Sequence, residues 1–131
     1  MTEKLCNREA LEIHDNIARI RERIEAACAR AGRSSKDVTL LAVTKTVAVE
    51  RINLAIADGI TEIGENRVQE FLSKKEALLP VTSHLIGHLQ TNKAAQIADK
   101  VSMVQSVDSL RVAEALDKAA RKSGNVPLKK I

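Results

Sequence analysis

The feature that most constrains this chain is a change of hydrophobic period at Gly32. Upstream, Ile13, Ile17, Ile20, Ile24 and Cys28 recur at three- and four-residue steps, which predicts one helix over Asn7–Ala31 with a single apolar stripe. Gly32 supplies the left-handed residue that ends such a helix. Downstream, Val38–Val43 is a short, nearly continuous apolar run and reads as a buried strand. Weaker runs follow at Ile60–Ile63, His84–Ile86 and Val101–Val107, and Pro127-Leu128 opens another. Helical stripes lie between them: Val49, Ile52 and Ile56; Val68, Phe71, Leu72, Leu78 and Leu79; Ala94, Ile97 and Ala98; Leu110, Ala113, Leu116 and Ala120. Strand and helix thus alternate four times, at a strand spacing of about 20 to 25 residues, the length of a compact βα unit.

That alternation predicts an α/β fold with a parallel sheet. No linker or low-complexity stretch divides the chain, so residues 1–131 are expected to form one domain. Two architectures fit. A doubly wound five-strand sheet would be complete at this length. A (β/α)8 TIM-barrel-like fold needs about 250 residues, so the chain would supply about its first half. Periodicity does not choose between them. The closing Val126–Ile131 reads as a strand stopped as it begins, which leans toward the half-barrel.

Charge and composition narrow the functional classes. Net charge is +4, but acids and bases alternate through Arg8–Arg33, as on a solvated helix face rather than a phosphate-tracking stripe. With Phe71 as its one aromatic, the chain lacks stacking platforms for single-stranded nucleic acid. Its core must be Ile, Leu, Val and Ala. The basic tail, Lys118–Lys130, reads as a solvated end. Cys6 and Cys28 are too few for a disulfide framework, and no CxxC marks a metal site. No run reaches transmembrane length, and MTEKLCNREALEIHD has no apolar core of a signal peptide. The expected location is the cytoplasm, with neither nucleic acid nor membrane as partner.

In either architecture the working face lies at the carboxyl ends of the strands. The residues there are Thr44-Lys45-Thr46, Gly64-Glu65-Asn66, Gly87-His88 and Ser106–Ser109. Lys45 is the sharpest candidate, since its strand should carry it to the rim of a sparsely hydrated interior. A desolvated lysine has a lowered pKa and a neutral amine that attacks aldehydes to form a Schiff base. The plain alternative is a strand-end lysine reaching into water. Asn66 with Gln69 resembles a capping box, with Gly64 serving a tight turn, and a helix start there would suit a polar ligand group. His84 and His88 are four apart but flank Gly87, so a hydrogen-bonded histidine is favoured over a metal ligand. Thr91 and Ser109 read as helix caps, Ser106 as a strand-end hydroxyl and Cys28 as core; His14 has no partner legible in the sequence.

Four motifs together carry more than any one. Leu41–Thr46 (LAVTKT), Ile63–Glu70 (IGENRVQE), His84–Lys93 (HLIGHLQTNK) and Gln105–Ser109 (QSVDS) occur in the order and at the spacing of the YggS-like family of pyridoxal phosphate homeostasis proteins, which the whole chain resembles from its leading helix onward. The resemblance implies a single-domain barrel like the N-terminal domain of alanine racemase, with pyridoxal phosphate as cofactor. It implies that Lys45 holds that cofactor as a Schiff base, with Asn66, His84 and Ser106 matching polar positions of the pocket. It also implies a non-enzymatic regulator of the cofactor pool; the alternative is an amino-acid racemase using the same lysine. A complete flavodoxin-like binding domain with an incidental lysine is the third reading. Ala48 replaces a proline common in the family and Arg67 a tyrosine, and neither touches Lys45. In the family the chain continues for about another half-barrel, which carries the phosphate-holding backbone. Half a barrel would expose two sheet edges and an uncovered inner face, so self-association, or else partial disorder near the last strand, is expected.

Overall fold

The computed structural model describes residues 2–123, with side chains from Asn7 onward. The expected strand at Pro127-Leu128 lies outside the described residues. A long helix, α1 (Thr2–Ala31), leads into β1 (Ala42–Val43), α2 (Val49–Ala57), β2 (Glu62–Glu65), α3 (Val68–Lys74), β3 (Thr82–Leu85), α4 (Ala94–Ile97), β4 (Met103–Val104) and α5 (Leu110–Ser123).

Gly32 stops α1 as its sequence position predicts. At φ +69° it donates to the Ala29 carbonyl at 3.3 Å, and Arg33 donates to that of Cys28 at 3.0 Å, which satisfies two carbonyls left open by the last turn. The stripe is only partly covered: Ile17 and Cys28 are buried, but Ile20 is 44% exposed.

The sheet decides the architecture. Among the described residues all neighbouring strands are parallel, in the order β1-β2-β3-β4, with no reversal. A doubly wound sheet has a switch point where strand order reverses, whereas a barrel advances one strand at a time. The register gives the two faces. Val43, Gly64, His84 and Met103 form one row across all four strands, and Glu65, Leu85 and Val104 form a row on the opposite face. Leu85 and Val104 are fully buried within the cluster that includes Phe71 of α3, Ile97 of α4 and Leu116 of α5. Leu40 and Ala42 pack with Ile17 and Ile52 on the same helix-covered side. Val43, on the other face, is 51% exposed. The face away from the helices is the one that lines the interior of a (β/α)8 barrel, and four of its strands are present among the described residues.

The expected strand over Val38–Val43 shortens to Ala42–Val43. β1 has one neighbour, β2, so only residues opposite that short strand enter the ladder. β2 lies two residues later than expected, which puts Gly64 and Glu65 inside the strand rather than in a turn.

Candidate functional site

Four strand-end segments meet at one rim of this sheet. The β1 segment is fixed to β2 by Thr44, whose amide donates to the Gly64 carbonyl at 3.0 Å and whose hydroxyl donates to Glu65 Oε1 at 2.7 Å. Lys45 follows at once and is exposed; its carbonyl accepts the Thr46 hydroxyl at 2.6 Å, while its side chain has no hydrogen bond or ion pair among the described residues. Among the described residues no strand covers the inner face, so Lys45 meets solvent here rather than the expected sparsely hydrated setting. Thr46 takes φ +61°, a left-handed conformation that a β-branched residue adopts at a cost of about 1–3 kcal/mol unless its surroundings hold it.

What holds it is a cluster, buried at Glu65 and Lys74 and partly exposed at Glu70, that sequence reasoning missed. The Lys74 ammonium donates to the Thr44 carbonyl at 2.8 Å, to Glu65 Oε1 at 2.9 Å and to Glu70 Oε1 at 2.8 Å. Those are the three donors that an ammonium has. Glu70 Oε1 also accepts the Thr46 amide at 2.5 Å. Glu65 and Lys74 are both buried, and Glu65 Oε2 has no hydrogen-bond partner among the described residues. The Lys74 hydrogen bond, then the Thr46 amide, hold Glu70 below its ordinary carboxylate value. Burial works to lower Lys74, but its bonds to Glu70 and Glu65 outweigh it and leave the ammonium above the ordinary lysine value. The one hint in the sequence was the i,i+4 spacing of Glu70 and Lys74.

The remaining predicted residues lie along the next three strands. Asn66 sits after β2 but does not cap α3; Arg67 holds the cap position, without a side-chain bond, so the capping box is not formed. Instead Asn66 lies against Gly87: a Cβ on Gly87 would come within 2.8 Å of Asn66 Cα and overlap its carbonyl oxygen. Ser106 donates its hydroxyl to the Gly87 carbonyl from the other side. Asn66, Gly87 and Ser106 are thus in direct succession. His84 lies one level deeper, within β3 and on the inner-face row. Its Nε2 donates to Glu62 Oε1 at 3.2 Å and its Nδ1 accepts from the Gln105 amide at 3.1 Å, an assignment set by the carboxylate's inability to donate. Among the described residues no group of three or more potential metal-ligating side chains occurs. Beside the rim, a shallow cavity of about 180 Å³ is flanked by Arg67, His88 and Lys93.

Ser109 caps α5 as expected, accepting the Val112 amide at 3.2 Å. Thr91 does not cap; it lies within a 3-10 turn whose cap position is Gln90. His14 finds Asp58 Oδ1 at 2.6 Å, tying α1 to the end of α2.

Residues 15–129 match the model of the alanine racemase N-terminal domain. The chain belongs to that family. It is similar to the pyridoxal phosphate homeostasis protein of Aquifex aeolicus, at 43% identity over 86% of this chain and 50% of that protein. The protein of the same name from Pseudomonas aeruginosa is 42% identical over 88% and 51%. Among solved structures, an unknown protein from Bifidobacterium adolescentis superposes with TM-score 0.82 at 38% identity, over 88% of this chain and 52% of that one. PipY of Synechococcus elongatus, with pyridoxal phosphate bound, superposes with TM-score 0.65 at 36% identity, over 77% and 49%. The chain spans about half the length of the curated relatives it matches. This family membership and the unreversed strand order agree on a partial barrel. No helix among the described residues is long and apolar enough to cross a membrane.

Proposed function

We propose that the chain forms the first half of a pyridoxal phosphate-binding homeostasis protein of the cytoplasm, a cofactor carrier rather than an enzyme, with Lys45 as the residue that holds the cofactor. The observation that carries this reading is the position of Lys45. It is an exposed, unpaired amine at the carboxyl end of β1, next to the open inner face, with fixed backbone on either side. A bound pyridoxal phosphate supplies an electrophilic aldehyde. The neutral Lys45 amine would be the nucleophile toward the aldehyde carbon, and on forming the C=N bond both amine protons would leave with the aldehyde oxygen as water. Asn66 and Ser106 at the rim, and His84 below it, are the polar groups proposed to line the same pocket. The phosphate-binding backbone is assigned to the half of the relatives' length that this chain does not span.

In the full-length protein, borohydride should fix pyridoxal phosphate on Lys45, and Lys45→Ala should abolish that adduct. A label found on another lysine would refute the assignment. Racemisation of common amino acids should be absent; a Lys45-dependent rate of about 1 per second or faster would make the protein a racemase instead. The 131-residue chain, with β1 and β4 each unpaired along one edge among the described residues, is proposed to self-associate. A monodisperse monomer in sedimentation at low micromolar concentration would count against that.

A further inference from the structure

We infer that Lys74, Glu65 and Glu70 are positioning residues for Lys45, setting the direction of its amine through the backbone on both sides; this rests on the reading of Lys45 as the cofactor-holding lysine. The residue before Lys45 is held by its carbonyl, which accepts from Lys74, and by its hydroxyl, which donates to Glu65. The residue after it is held by its amide, which donates to Glu70. Lys45 itself has no side-chain partner among the described residues, so whatever aims it must act through those two peptide groups.

A staple that merely joined α3 to β2 would explain less. It accounts for the bond from Lys74 to Glu65, and the bond to Glu70 is an ordinary contact one turn along a helix. It leaves two features without a purpose. The third Lys74 donor goes to the Thr44 carbonyl, across 30 positions in sequence, and Glu70 reaches out of its helix to the Thr46 amide. Both extra bonds end on the peptide groups that flank Lys45. Thr46 is also the single non-glycine residue with positive φ among the described residues, a conformation that persists only where neighbours impose it. An aldehyde-capturing amine gains from such restraint, since misplacing a reacting group by about 1 Å can cost about 100-fold in rate.

The test uses the full-length protein with pyridoxal phosphate, borohydride quenching at timed intervals and peptide mapping. Adducts on other exposed lysines provide an internal reference for reagent and aldehyde. Glu70 is partly exposed, so its variants should fold. Glu70→Ala should slow capture at Lys45 about tenfold or more relative to the reference lysines, and amide hydrogen exchange at Thr46 should accelerate. Glu70→Gln keeps an oxygen that can accept the Thr46 amide and should restore most of both. Capture at Lys45 by Glu70→Ala at the wild-type rate, with the Thr46 amide demonstrably freed, would overturn the positioning role while leaving Lys45 as the cofactor lysine. Absence of any Lys45 adduct in the wild type would overturn both.

Discussion

The two hydrophobic clusters of this fold differ in how completely they are closed. One, formed by α3, α4 and α5 against β3 and β4, contains Phe71, Leu85, Ile97, Val104 and Leu116, each exposed by 1% or less. The other, where α1 and α2 meet β1 and β2, buries Ile17, Ile52, Ile60 and Ile63 but leaves Ile13, Leu40 and Ala42 only half-covered. An apolar cavity of about 300 Å³ opens between α1 and β1 beside them. Apart from Phe71 both clusters are built of aliphatic side chains, so composition alone does not explain the contrast. Helix cover does: α4 and α5 close over the edge strand β4, where Val104 is fully buried, whereas α1 leaves a cavity over the equally short edge strand β1. An edge strand with a half-covered face is where the rest of a barrel would attach.

Truncation measures that contrast. Phe71→Ala removes a ring from the closed cluster and should cost about 3–5 kcal/mol in urea unfolding. Ile17→Ala removes a side chain that already borders the open cavity, and should cost about 2 kcal/mol, the lower end for such changes. Equal losses at the two positions would mean that the β1 side is as tightly packed as the β4 side. Amide exchange should agree: within the sheet, the Ile86 amide, bonded to the Glu65 carbonyl, should be better protected than the Thr44 amide at the β1 edge.

Acid tests the rim between the clusters. The Glu70 carboxylate is held below its ordinary value, chiefly by Lys74, so its contribution is present above the unfolded value of about 4.5 and lost as pH falls through the lower folded value. Glu70→Gln should flatten the stability profile in that acid window. The smallest effect belongs to His14. Its hydrogen bond to Asp58 raises it above 6.5, so its contribution is present below that value and lost as pH rises through the folded value. His14→Ala should flatten that shallow slope, and a steep change would mean that α1 is anchored more by charge than by packing.

Much of the fold was legible in the sequence because it is written in local periods. The βα alternation, the stop at Gly32 and the Ser109 cap each depend on residues a few positions apart. What was not legible depends on register. Glu65, read as part of a turn, lies in β2 and faces α3, because β2 begins two residues later than its apolar run. Only then do Glu65, Glu70 and Lys74 converge, together with Thr44 from 30 positions upstream of Lys74. Asn66 was read through a cap that α3 does not use, and the partner of His14 lies 44 residues away. The positions of Lys45, Asn66 and Ser106 at strand ends followed from the alternation of elements. The open inner face beside Lys45 followed from reading the chain as half a barrel, but that reading was not joined to the expected sparsely hydrated setting of its amine.

Gly87 gives the rim a mechanical property. With no side chain, it lets the turn after β3 rest on the Asn66 backbone on one side while its carbonyl is gripped by Ser106 on the other. The tips of β2, β3 and β4 are thereby joined in succession, like adjoining staves. A push on any one tip should be passed to the next, so these three loops should travel together as a plate, with the Lys45 loop joined to it through Thr44.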